Sequence, residues 1–181
     1  MIYILLADGF EEIEALVPAD LLRRAGLPVQ LVGLDRPQVL GAHGISVNAD
    51  LSLDQVELDK MELLVLPGGS GGVENIHLNL KAMTLIQQAY EKGRYLGAIC
   101  AAPTLLAELG ILDRRPATCF PGTEGDMGSA VLQKHAPVVV SGRIITGEAV
   151  GAVFPFSFAL IEALEGETTM NRIKQSIVFH E

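Results

Sequence analysis

The sequence predicts an α/β fold built on a doubly wound, mostly parallel sheet. Three observations predict it. Short apolar runs at 2–7, 62–66 and 95–99 have the composition of strands buried on both faces. Segments of helical periodicity alternate with them, which is the order of a parallel sheet with crossover helices. Two of these strands end in glycine turns, Asp8-Gly9 and the run from Pro67 to Gly72, at the carboxyl edge where such sheets bind ligands.

Each element has its own local signal. After the first strand, residues 11–25 form a helix with Ile13, Leu16, Val17 and Leu21 on one face; Gly26 closes it and Pro28 follows. Residues 28–34 are the second strand. Residues 35–50 hold Gly41, Gly44 and short apolar pieces, predicting a loop with a small hairpin. Strand 62–66 runs into the glycine-rich loop 67–72, and residues 79–92 form a helix closed by Gly93. Strand 95–99 enters a further helix near Ala101. A short strand follows at 117–120, then a turn-rich loop at 121–128. Residues 138–140 and 144–146 flank Ser141-Gly142 as a hairpin. A small-residue loop at 147–152 leads to an apolar helix at 154–164, closed by Gly166, and an amphipathic last helix at 168–178. No internal repeat interrupts this order, and residues 1–181 read as one domain.

Composition narrows the function. Apolar residues make up 49% of the 181 residues and charged residues 19%, the balance of a globular chain. The net charge of −9 with no basic run argues against nucleic acid and anionic membranes as partners. Two cysteines, Cys100 and Cys119, do not make a disulfide framework and point to a reducing compartment. The N-terminus lacks a charged leader, and no run has the length of a membrane span, so a soluble cytoplasmic protein is expected.

The chemistry gathers at RYLGAICAAPTLL, residues 94–106. Cys100 stands at a strand-to-helix corner, with the small residues Ala98 and Ala102 two positions away on either side. A sharp elbow needs that pattern, because larger side chains collide at the bend. A thiol there is pushed out of the sheet and lies at a helix N-terminus, which favours the thiolate. A lone cysteine is more often an inert core residue. The elbow pattern favours a reactive nucleophile at Cys100, and Cys119 reads as core.

Two other strand ends share this edge. On the helix after strand one, Glu14 lies on the flank of the apolar face nearest Val17 and Leu21, whereas Glu11 and Glu12 fall toward solvent. Two readings of Glu14 stay open. It is a first-turn acid favoured by the helix dipole, or a carboxyl pushed into the fold with a raised pKa. Gly68 and Gly69 can offer backbone N–H groups to an oxyanion. They form neither a P-loop, since no Lys-Ser/Thr follows, nor a dinucleotide fingerprint, since the third glycine is missing. His43, His77 and His135 fall in loop or surface segments. His180-Glu181 would supply a Cys-His-Glu amidotransferase arrangement only from a fraying terminus. CxxC, HxxxH and HExxH are absent, so no metal site is expected.

With these residues in place, the chain resembles the DJ-1/PfpI superfamily, in its DJ-1 branch (Parkinsonism-associated deglycase, ThiJ or YajL-like). The matching stretches are ADGFEEIEALVPADLLRRAG (7–26), LVLPGG (64–69) and GAICAAPTLLAELGIL (97–112), with ATCFPG (117–122) and FSFALIEALEG (156–166) adding weaker support. The resemblance spans nearly the whole chain. It implies a flavodoxin-like sandwich, a homodimer, an oxidisable elbow cysteine at Cys100 and a partner glutamate at Glu14. It also places oxyanion-type amides at Gly69 and Ala101. Three departures stand out. Ala101 replaces the histidine of the protease-like branch, which argues against a Cys-His peptidase. Phe120 replaces a histidine common before the proline that is Pro121 here. Ala149-Val150-Gly151-Ala152 replaces the family's Gly-Pro-Gly-Thr, which often borders the pocket.

The resemblance implies a cofactor-independent enzyme acting on reactive carbonyls. The expected chemistry is glyoxalase-type conversion of methylglyoxal to lactate, or deglycation of adducts on thiols and amines. A second class of function is a redox-sensing, chaperone-like stress protein that uses oxidation of Cys100. The thiamine-related role suggested by the ThiJ name has no support in the residues.

Overall fold

In the computed structural model, which describes residues 1–180, a seven-stranded sheet forms the centre of the molecule. The elements in chain order are β1 (Ile2–Leu6), α1 (Glu12–Arg24), β2 (Val29–Gly33), β3 (Gln38–Leu40), β4 (Ser46–Asn48), β5 (Leu51–Ser52) and β6 (Leu63–Leu66). They continue with α2 (Ser70–Leu78), α3 (Leu80–Glu91), β7 (Tyr95–Ile99), α4 (Pro103–Glu108), β8 (Pro116–Ala117) and β9 (Val131–Leu132). The last are β10 (Val138–Ser141), β11 (Ile144–Gly147) and α5 (Val153–Ser176).

The sheet order is β10-β11-β7-β6-β1-β2-β5, parallel throughout except for the edge strand β10. In β1, Tyr3 and Leu5 enter one core with Leu64, Leu66, Ile86 and Leu106. Ile2, Ile4 and Leu6 enter the other with Leu22, Phe156, Leu160 and Ile161. The period-2 alternation of a strand explains why the run is apolar throughout: both faces are covered. The expected α/β, flavodoxin-like sandwich is therefore present, with α1 packed on α5 across one face.

Most expected elements fall where the sequence places them, including the small hairpin β3–β4 and the hairpin β10–β11. The break at Gly166 is also present: its φ of 81° interrupts α5 between two helical stretches. Three details differ. A helix, α2, begins at Ser70, inside what reads in sequence as glycine loop. Gly71 and Gly72 sit in its first turn because the loop after β1 passes against them; a Cβ on Gly72 would lie 2.8 Å from the Phe10 backbone. The elbow helix starts at Pro103, two residues later than expected, and spans six residues. The expected strand at 117–120 pairs only at Pro116–Ala117. Beyond it, the Thr118 N–H bonds the Thr146 side chain and the Phe120 N–H bonds the Cys100 carbonyl, so neither joins a ladder. Glu181, which the sequence offers beside His180, lies outside the described residues. Among those residues, no helix is long and apolar enough to cross a membrane.

Candidate active site

The site is assembled at the carboxyl ends of β1, β6 and β7. β7 delivers Cys100 in the left-handed region, at φ 65°, a conformation that costs a non-glycine residue about 1–3 kcal/mol. Two hydrogen bonds bracket this residue. Its N–H donates to the Gly147 carbonyl at 3.0 Å, and its carbonyl accepts from the Phe120 N–H at 2.8 Å. The side chain is half-buried, and Ala98 and Ala102 flank it with no exposed surface, as the small-residue pattern requires.

Glu14, in the first turn of α1, is fully buried, at 0% exposure. Its Oε2 accepts the Gly68 N–H at 2.8 Å, and the carboxyl hydrogen-bonds to Cys100. Its Oε1 is buried without any partner. Of the two readings left open by the sequence, the structure takes the buried one. Burial pushes the Glu14 carboxyl up to about 7, against the Gly68 amide, which pulls it down.

The glycine pair is demanded by this close packing. A Cβ on Gly68 would lie 2.5 Å from Glu14 Oε2 and 2.6 Å from Cys100 Cβ. Gly69 has φ 83°, and a Cβ there would lie 2.3 Å from the Gly9 carbonyl oxygen. The pair does not act as a unit. The Gly68 N–H is committed to Glu14, so it is not an open oxyanion donor. The Gly69 N–H and the Ala101 N–H both reach the Cys100 thiol.

The expectation of a thiol poised as thiolate by a helix terminus needs correction. Burial pushes the Cys100 thiol up to about 12, and the negative charge of Glu14 pushes in the same direction. The amides of Gly69 and Ala101 favour the thiolate but are outweighed. Burial raises both members of this pair, the Cys100 thiol and the Glu14 carboxyl.

Glu12 is a second correction. The sequence turns it toward solvent, yet it is only 3% exposed. The tip of the β3–β4 hairpin folds over it. Its Oε1 accepts the His43 N–H at 2.8 Å and the Ile45 N–H at 3.3 Å, and its Oε2 meets His43 Nδ1 at 3.0 Å. Burial opposes its charge, but these bonds and its own backbone amide win and hold its pKa below the usual carboxylate value. Glu11 is half-buried beside it, with Oε2 at 3.5 Å from His43 Nδ1.

These features are those of a thiol–carboxyl pair held on a flavodoxin-like sheet. The sequence matches the DJ-1/PfpI family over residues 1–163. The chain belongs to the DJ-1/PfpI family. Among its relatives is a deglycase of Pyrococcus abyssi, 32% identical over 91% of this chain and 99% of that protein. Protein dj-1beta of Drosophila melanogaster is 30% identical over 97% of this chain and 95% of its own. The crystal structure of that Drosophila protein superposes with a TM-score of 0.92 at 32% identity, covering 99% of this chain and 98% of the other.

Other DJ-1/PfpI expectations can be placed. Among the described residues, no histidine is among the groups acting on Cys100; His77 instead bonds Glu108 at 2.8 Å. Cys119 is 7% exposed, and burial pushes its thiol up, consistent with a core residue. Phe120 stays 45% exposed, with its backbone against the elbow. A groove opens beside Ala101, lined by Ser70, Glu74, His77, Thr104, Glu108 and Asp126. What sequence reasoning missed is Thr146, a buried hydroxyl on β11 that ties the segment 118–120 to the sheet. No motif marks it, because the bond depends on how this segment meets a strand distant in sequence.

Proposed function

We propose that the protein converts reactive α-oxoaldehydes, methylglyoxal above all, to hydroxy acids, using Cys100 as nucleophile and Glu14 as the proton carrier. The observation that carries this reading is the Glu14 carboxyl: buried, titrating at about 7, bonded to Cys100, and with Oε1 unpartnered. A general base is most effective when its pKa lies near the working pH.

Glu14 takes the thiol proton as sulfur bonds to the aldehyde carbon, then delivers that proton to the carbonyl oxygen, giving a hemithioacetal and a carboxylate ready to act again. The Gly69 and Ala101 amides steady the negative charge as it passes from sulfur to that oxygen. Glu14 removes the hydrogen on the former aldehyde carbon and returns it to the neighbouring carbon through an enediol. The product is a thioester of lactate. Water then cleaves the sulfur–carbon bond, releasing lactate and restoring the thiol. Deglycation joins the same route once the hemithioacetal or aminocarbinol adduct collapses, its hydroxyl proton passing to the leaving thiol or amine and the freed aldehyde adding to Cys100; the names of the archaeal relatives support that branch. The groove beside Ala101 is the proposed approach for the larger adducts. Lactate formed from methylglyoxal by wild type, and lost in Cys100→Ser and in Glu14→Gln, is the expected result. Wild-type output no higher than that of Cys100→Ser would refute methylglyoxal turnover.

A second reading is favoured by the same carboxyl in its protonated form. Peroxide would carry Cys100 through sulfenic to sulfinic acid, and a protonated Glu14 would donate to the new oxygen. Peptide mapping after mild peroxide should find the added oxygens on Cys100; oxygen on Cys119 alone would end this reading. We also propose that the chain forms a homodimer. The surface we assign to it is the exposed apolar set of Ile13, Leu40 and Ile45, where the hairpin clasps α1. Sedimentation of Ile13→Glu as a monomer, beside a wild-type dimer, is the expected outcome.

A further inference from the structure

The strained elbow is held from both sides by one strand. The Gly147 carbonyl, at the end of β11, takes the Cys100 N–H directly at 3.0 Å. The other side of Cys100 is held by the Phe120 N–H, on a segment that makes no sheet ladder of its own. That segment, 118–120, has few anchors. At its start, the Ala117 carbonyl accepts the Gln133 N–H at 2.8 Å. At its end, the Phe120 carbonyl accepts from Thr123, within the following turn. Between them, the Thr118 N–H donates to Thr146 Oγ1 at 3.0 Å. Thr146 is the residue immediately before Gly147, and β11 pairs directly with β7, the strand that leads into Cys100.

We infer that Thr146 is a positioning residue for the nucleophile, acting through Thr118 and Phe120 to hold the Cys100 carbonyl and so the elbow itself. Thr146 is 1% exposed and Thr118 2% exposed, so water does not readily replace the hydroxyl, and a buried N–H left alone is costly. The other backbone tether, from Gly147, comes from the main chain and would persist in any side-chain variant. A left-handed non-glycine residue persists only while its surroundings over-determine it. With one of its two tethers released, Cys100 relaxes toward ordinary backbone angles. Its sulfur then moves away from the Gly69 and Ala101 amides and from Glu14. Valine has the shape of threonine but no acceptor, whereas serine keeps the acceptor.

This inference deepens the proposed reaction and rests on Cys100 as its nucleophile. Its test has one arm that needs no substrate. Thr146→Val, Thr146→Ala and Thr146→Ser are compared with wild type by amide hydrogen exchange and by methylglyoxal turnover. The expected result is faster exchange at Phe120 in the Val and Ala variants, by about tenfold or more, with the Ile4 amide in the central strand unchanged. Their kcat falls by between about tenfold and a hundredfold, the cost of a small misplacement of a reacting group, while KM stays within about twofold. Thr146→Ser restores both. If Phe120 exchanges as in wild type, or only in step with Ile4, Thr146 is merely structural and the inference fails. Unchanged kcat in a variant with exposed Phe120 exchange also overturns it. If wild type shows no turnover, the proposed reaction fails, and the exchange arm still decides the role of Thr146. Thr146→Ala, which places no methyl against the Thr118 N–H, keeps the test available should the Val variant not fold.

Discussion

Glu12 and Glu14 lie two residues apart on the first turn of α1, and both are buried, yet they are opposite kinds of carboxyl. Glu12 is surrounded by donors. Both its oxygens are engaged, by the His43 and Ile45 amides and the His43 ring, and its pKa is lowered. Glu14 has one amide on Oε2, nothing on Oε1 and a thiol as neighbour, and its pKa rises to about 7. Burial is the leading influence on both. It is deeper at Glu14, and Glu12 has more hydrogen bonds to its charged form. One carboxylate is spent on structure. The other is left under-satisfied, as a group is when it must gain and lose a proton.

The comparison breaks most visibly at Glu14. Glu14→Gln should lower methylglyoxal turnover by about 10²–10⁴-fold, the usual contribution of a positioned acid–base group. The same variant should be more stable than wild type at pH 8. An acid whose folded pKa lies above its unfolded value binds more protons folded than unfolded between the two values. Stability is then highest below pH 4.5, falls as pH rises toward about 7, and is level above that. The span corresponds to roughly 3 kcal/mol. Urea midpoints across pH 4 to 8 measure it; a Glu14→Gln curve parallel to that of wild type would show that the carboxyl is not buried as described.

Glu12→Gln should do the reverse. It keeps an acceptor but loses the charge that its donors favour, and should destabilise by about 1–3 kcal/mol. The pH dependence is also reversed. Because the folded pKa is depressed, the stabilisation is present above the unfolded value of 4.5 and is lost as pH falls through the folded one. Turnover should stay within a few-fold of wild type. A Glu12→Gln variant with wild-type stability and lost turnover would reverse the roles assigned to the two residues.

The difference between these carboxylates also marks how far sequence can be read. Strands β1, β6 and β7 were legible because a strand covered on both faces is apolar at every position, and the elbow was legible because its sterics demand Ala98 and Ala102. Glu14 was half-legible: a helical wheel orients α1 against its own sheet and turns Glu14 inward. The wheel has no knowledge of the hairpin tip at 41–45, which arrives from some thirty residues away and covers Glu12. Helix α2 was hidden for a related reason. Gly71 and Gly72 resemble loop when the nearby Phe10 backbone, which forbids a side chain at Gly72, is out of view. The thiol was misread in the same way, since its helix terminus is local whereas its burial and the Glu14 charge are tertiary.

The smallest effect falls on His43, the outer edge of the Glu12 site. Its ring is exposed, and its pKa is raised first by the hydrogen bond to Glu12 and then by the charges of Glu11 and Glu12. The backbone N–H of His43, not the ring, carries the 2.8 Å bond to Glu12 Oε1, and that bond survives in His43→Ala. The variant should therefore lower Tm only slightly at pH 6. The difference should fade as pH rises through the ring's raised pKa, because a group with a raised folded pKa contributes its stability below that value. It should fade at pH 6 as well when salt is added, since exposed charges are screened. A His43→Ala loss as large as that of Glu12→Gln would mean that the ring holds the clasp, and that Glu12 owes its low pKa to a charge rather than to the amides of the hairpin.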